Sequence, residues 1–242
     1  MSGFHGDISV AGVSSMLYLL VIFRLDGYRK TRGIVFPNEF RVYASWWFWW
    51  LGVYSSLSVV SMLPVPFLLD RQGSSFCGAT IAPSWLHEWV ESVTRVFFWS
   101  KMVEFGDTVW FILSNRSHVK FLQWFHHLVT LWYVLYNMSW FPMTGCIFGS
   151  VNMAVHALMY PYFAFSIHPD RRSSIPIPPI LISLAQILQM VVGIATIVFH
   201  HVYCRPPVWD WVGGCMFFIY FLLFVEFFME KYGSRLWKIR VE

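Results

Sequence analysis

Hydrophobic positions fall into seven runs separated by short polar, charged or proline-bearing connections. They cover approximately Ile8–Phe23, Phe40–Leu69, Trp89–Leu113, Phe121–Tyr136, Thr144–Ser166, Ile177–His200 and Trp209–Phe228. Several approach the ~20 apolar residues that a helix needs to cross a bilayer. The second run is long, and Pro64 and Pro66 are expected to bend or end it, because proline lacks the donor that continues a helix. Within the fourth run, Gln123, His126, His127 and Thr130 recur at i, i+3, i+4 and i+7, which places them on one helical face. Imidazoles facing lipid are costly, so this face is expected to look into a protein interior or a wet cavity. The pattern predicts an all-α, polytopic membrane protein with seven transmembrane helices forming a single domain over residues 1–242.

Composition strengthens that reading. The chain is 57% hydrophobic and 12% charged, against about 25% charged in soluble domains. Aromatic residues make up 20%, with 14 Trp, which suits many helix ends at the headgroup level. The Trp46–Trp50 run is read as such an anchor. No cleavable signal peptide is evident, so the first run is expected to remain as a membrane helix. The net charge of +4 is explained by topology rather than by nucleic acid. With the amino terminus outside the cytosol, thirteen cations fall on the cytosolic side: Arg24, Arg29, Lys30, Arg32, Arg41, Arg116, Lys120, Arg171, Arg172, Lys231, Arg235, Lys238 and Arg240. Arg71 and Arg205 fall opposite. The positive-inside rule then places the carboxyl terminus in the cytosol. Cys77 and Cys204 fall in non-cytosolic loops, and pair plausibly if that side is oxidising. The alternative is that all four cysteines are free.

Other runs carry polar residues that a lipid-facing helix would exclude. In the third, Lys101, Glu104 and Thr108 share a face, with Asp107 beside it. Charges so placed must pair with one another or meet a polar ligand. The fifth run carries Asn152, His156 and Met159, with Tyr160 on the shoulder, and the sixth carries Ser183, Gln186 and Gln189 at spacing three. The last stripe has the form of ordinary interhelical glue. At 1.5 Å per residue, His126 and Asp107 lie about 8–9 Å from the cytosolic ends of their helices, and His156 and Gln186 about 15 Å in. The expected result is a pocket enclosed by six helices and open to the cytosol, polar near its mouth and apolar beyond. That shape fits a ligand with a charged head and a long tail.

Taken together, these residues resemble the fatty acid elongase (ELO) family. Its Lys-x-x-Glu-x-x-Asp-Thr signature is intact at Lys101, Glu104, Asp107 and Thr108. Its Asn-x-x-x-His-x-x-Met-Tyr signature is intact at Asn152, His156, Met159 and Tyr160, and a Thr-x-x-Gln-x-x-Gln pattern appears as Ser183, Gln186 and Gln189. The family's His-x-x-His-His box departs at its first position, which is Gln123; glutamine hydrogen-bonds but neither titrates nor acts as a nucleophile. The chain ends Lys238-Ile239-Arg240-Val241-Glu242, at best close to the family's dilysine signal. Endoplasmic reticulum residence therefore rests on the resemblance, with the amino terminus lumenal.

The resemblance implies decarboxylative condensation of malonyl-CoA with a long-chain acyl-CoA, giving 3-oxoacyl-CoA, CoA and carbon dioxide. It implies catalytic roles for His126, His127 and His156, with His126 attacking the thioester. Lys101, Glu104, Asp107, Gln123, Asn152, Tyr160, Gln186 and Gln189 are the implied substrate-binding set, Lys101 being considered for the CoA phosphates. No metal and no cofactor are expected, the two CoA esters being substrates. Membrane lipid and the reductase, dehydratase and enoyl reductase of an elongation cycle are the implied partners. Saturated or monounsaturated chains are favoured slightly. Two alternatives remain at this point. Gln-x-x-His-His also resembles one histidine box of desaturase-like metal oxygenases, which need a larger ligand set. A seven-helix transporter or receptor would also place charges inside the membrane.

Overall fold

The computed structural model describes residues 2–65, 68, 84–116, 119–138, 143–171, 177–204 and 210–239. Within them the chain is helical, without strands: α1 Ser2–Arg32, α2 Glu39–Met62, α3 Ser84–Val103, α4 Phe105–Leu113, α5 Phe121–Met138, α6 Met143–Ile167, α7 Pro179–Cys204 and α8 Asp210–Ile239. Three of these contain stretches long and apolar enough to cross a membrane, namely Asp7–Arg32, Pro179–Cys204 and Trp211–Gly233. The protein is a multi-pass membrane protein. Pro66, Arg71, Cys77, Arg172, Arg205, Trp209 and Arg240, which entered the sequence reading, lie outside the described residues. Cys204 is disulfide-bonded, whereas Cys146 and Cys215 are free thiols.

Buried positions follow helical spacing. On α1 the buried residues are Ala11, Ser15, Tyr18, Ile22 and Asp26, each three or four after the last, so one stripe meets the bundle. The opposite face exposes Val13, Met16, Leu17 and Leu20, an apolar surface suited to lipid. On α7, Leu181, Leu184, Leu188 and Val191 form an equivalent outward stripe.

The most extensive helix pairing joins α2 to α6. It depends on Gly52, where an added Cβ would lie 3.1 Å from Cδ of Pro161, inside α6. Around it cluster Phe48, Leu51, Met159, Tyr160 and Ala164. A second cluster joins α7 and α8 through Met190, Ile197, Phe217 and Tyr220. α1 lies against α4 and α5.

Two local features position the site. The run Trp89–Leu113 forms two helices, because the ladder tightens at Glu104. Asp107 N donates to Glu104 O at 3.0 Å, the shorter three-residue bond of a 3₁₀ turn. Farther on, Asn115 adopts φ 57°, a left-handed conformation that Asn tolerates better than most residues. Its side chain accepts from Phe36 N at 3.1 Å and donates to Phe36 O at 2.9 Å. This clamp ties the end of α4 to the α1–α2 connection.

Candidate active site

The centre is a buried ion pair. Lys101 Nζ donates to Glu104 Oε1 at 2.8 Å and to Asn152 Oδ1 at 2.6 Å. It also stands 4.6 Å from the Phe97 ring centroid. Lys101 and Glu104 are each 2% exposed, so the ammonium and the carboxylate substitute for each other's water. Glu104 faces two imidazoles as well: His156 Nδ1 lies 3.4 Å from Oε1 and His127 Nδ1 3.9 Å from Oε2. Because Asn152 Oδ1 accepts from Lys101, its amide nitrogen is the donor toward His156 Nε2, 3.4 Å away. His156 Nε2 is therefore an acceptor, and its Nδ1 faces Glu104 without a hydrogen bond.

One turn on, Asp107 is held by two donors from other helices. Trp47 Nε1 and Tyr160 OH each donate at 2.8 Å, to Oδ1 and Oδ2 respectively. The approach of Trp47 requires Gly106, where a Cβ would lie 2.5 Å from Cζ2 of the indole. Thr108 Oγ1 shares a 2.8 Å hydrogen bond with Tyr18 OH of α1. The third-run signature thus binds α1, α2 and α6 to α4.

His126 occupies a different position. Its Nδ1 is buried and has no hydrogen-bond partner among the described residues. Tyr220 of α8 packs against its ring, with centroids 4.7 Å apart, and donates to the His126 carbonyl at 3.2 Å. Thr130 Oγ1 bonds the same Tyr220 hydroxyl at 3.2 Å. The ring lines two cavities. The larger, about 530 Å³, also meets Gln123, His127 and His156, and extends past Ser183 and Gln186 to Arg116, Lys120 and Lys231. The smaller, about 60 Å³, is bounded largely by apolar side chains such as Phe97, Val134, Phe148 and Phe217. His126, Asn152, Gln189 and Met190 line both.

A sequence model of the GNS1/SUR4 (ELO) family matches residues 4–238. The chain belongs to the ELO family. Its similar relatives include very long chain fatty acid elongase 6 of Gallus gallus, 35% identical over 60% of this chain and 56% of the relative. Putative fatty acid elongase 3 of Caenorhabditis elegans is 29% identical over 78% of this chain and 61% of the relative. Fatty acid elongase 2 of Trypanosoma brucei brucei is 26% identical over 93% and 89%. Against the first three curated relatives, the chain spans between 52% and 61% of their length.

In this ELO-family chain, the sequence-selected residues separate into two sets. Asp107, Gln123, His126, His127, Asn152, His156, Gln186 and Gln189 line the larger cavity. Lys101, Glu104 and Tyr160 do not appear in that lining and reach it through Asn152, the histidines and Asp107. Gln186 Nε2 points to Met159 Sδ at 3.3 Å. Trp47 lies in the Trp46–Trp50 run that the sequence predicts as a membrane anchor. Trp46 and Trp50 are exposed as an anchor requires, but Trp47 turns inward to Asp107. Arg116, Lys120 and Lys231, topology markers in the sequence, all line the larger cavity. Lys120 could have been found, since it lies three residues before Gln123 on the histidine face.

Proposed function

We propose that the protein is a fatty acid elongase that condenses malonyl-CoA with an acyl-CoA to give 3-oxoacyl-CoA, CoA and carbon dioxide. The observation that carries this reading is His126, an imidazole with an unpartnered buried nitrogen, at the junction of an apolar chamber and a larger cavity where Arg116, Lys120 and Lys231 stand beside Glu226 and Glu230. An acyl thioester whose sulfur carries a phosphate-bearing head has its reactive carbonyl at such a junction, with its head toward Arg116, Lys120 and Lys231 and its tail in the chamber. The relatives' names, and the family, support the same chemistry.

In this mechanism His126 attacks the acyl thioester carbon and the C–S bond breaks, leaving an acyl-imidazole and free CoA. Malonyl-CoA then enters the vacated mouth. Loss of carbon dioxide leaves its electron pair on the α-carbon as an enolate, which attacks the acyl carbon and expels His126. His127 stabilises the developing oxyanions by hydrogen bonding, and His156, between Glu104 and Asn152, keeps that side of the site in place. Lys101 acts from behind them, fixing Asn152 and balancing Glu104. The CoA phosphates fall to Arg116, Lys120 and Lys231, and Gln123, Gln186 and Gln189 supply polar contacts along the substrate. No cofactor takes part.

The full arrangement is seven transmembrane segments, with α3 and α4 forming one broken span, and six of them surrounding the substrate. The protein resides in the endoplasmic reticulum membrane with its amino terminus lumenal, its mouth and carboxyl terminus cytosolic, and the enzymes that reduce and dehydrate the 3-oxo product nearby.

The test is to incubate purified protein with malonyl-CoA and graded acyl-CoAs and to seek a 3-oxoacyl-CoA two carbons longer by mass spectrometry. Product is expected from the native chain, with a loss of at least about a thousandfold in His126→Ala, the scale of a removed nucleophile. Absence of product from every acyl-CoA, in folded protein, would overturn the reading. Near-native rates in His126→Ala would overturn its role as nucleophile.

A further inference from the structure

The apolar chamber beyond His126 is shallow. Its α6 wall runs from Asn152 back to Gly145, seven residues or about 10 Å at the helical rise. Among the described lining residues, Met62 is the one supplied by α2, and it is the last residue of that helix. Its side chain is 4% exposed. Its terminal methyl fills the place where a Cβ on Gly149 would stand, and Phe97 Cε1 lies 4.0 Å from that same place. The absence of a side chain at residue 149 thus creates a notch, and the Met62 thioether occupies it. An unbranched methionine is suited to filling an irregular gap and is readily reshaped by substitution.

We propose that Met62, seated in the Gly149 notch partway along the α6 wall, narrows the chamber and sets the longest acyl chain the enzyme accepts. This rests on the elongase reading above and adds a specificity-determining pair to it. An acyl chain held at His126 extends into the chamber until it meets the Met62–Gly149 constriction. Removing the thioether opens the way to the Gly145 end. Adding a Cβ to residue 149 takes away the notch and forces the thioether against the substrate.

The experiment measures condensation by the full-length chain over saturated acyl-CoAs graded in two-carbon steps, scoring the ratio of rates on the longest and shortest accepted primers. Met62→Ala is expected to raise that ratio at least tenfold and admit a primer one step longer. Gly149→Ala is expected to lower it by a similar factor. The double variant returns toward the native profile, because the new methyl occupies the space that the thioether leaves. Met62→Val, a milder truncation, supplies the same direction if Met62→Ala does not elute from detergent as a single folded species. Unchanged length profiles in folded, active variants would overturn the proposal while leaving the elongase reading intact. A native protein that condenses no acyl-CoA would overturn both.

Discussion

Glu104 balances more charge than any other side chain in the site. It accepts from Lys101 and stands within ion-pair distance of His127 and His156. Replacement by Gln preserves its shape but leaves Lys101 as a buried ammonium with Asn152 and the Phe97 ring. Breaking one side of a buried pair costs about 3–5 kcal/mol, whereas replacing both partners with apolar groups of similar size is often near neutral. Glu104→Gln is therefore expected to lower the thermal midpoint in detergent and to reduce condensation by at least about a hundredfold, the scale of lost electrostatic preorganisation. The double variant Lys101→Met, Glu104→Leu is expected to recover most of the stability without recovering activity. Recovery of both would show that the pair serves packing alone. The Lys101–Glu104 pairing was legible from their three-residue spacing, and so was the common face of His126 and His127. The pairing of Asp107 with Trp47 was not, because sixty positions separate them and only the packing of α2 on α4 brings them together.

At the level of elements, polar stripes indicated which helices face one another, whereas helix ends escaped the hydrophobic pattern. α1 continues to Arg32 although its apolar run stops at Phe23, with Lys30 paired one turn back to the buried Asp26 at 2.6 Å. The break between α3 and α4 had no proline at Glu104 to announce it. It accompanies the side-chain bonds that draw Glu104 and Asp107 toward different helices. Gly106, two residues later, tests how closely α2 and α4 must approach. A Cβ there would strike Trp47, whereas at Gly12 nothing lies within 4 Å. Overpacking a filled interior costs about 1–3 kcal/mol. Gly106→Ala is expected to lower the thermal midpoint and reduce condensation by displacing Trp47 from Asp107, while Gly12→Ala leaves both near native. Equal behaviour of the two variants would remove the close approach of Trp47 as a requirement.

Across the whole molecule, cations that the sequence offers as topology markers also meet at the site. Arg116, Lys120 and Lys231 converge on one cavity from the α4–α5 connection and from α8. Lys120 Nζ and Lys231 Nζ lie 5.2 Å and 5.4 Å from the centroid of the same Phe227 ring. Two ammonium groups drawn to one ring repel each other, and a phosphate-bearing ligand relieves that repulsion. Because both lysines are exposed, their attraction is weakened by salt, whose screening length is about 8 Å at physiological ionic strength. Replacing Lys120 and Lys231 together with Ala is expected to raise KM for both CoA esters about tenfold at low salt, with kcat changed by less than about threefold, as for lost binding that is uniform between ground and transition states. The native KM is expected to rise with salt and the variant's to depend on it weakly. A fall in kcat with unchanged KM would place the two lysines in the chemical step, and an unchanged salt dependence would move the phosphate contacts to Arg116 and the remaining wall of the mouth.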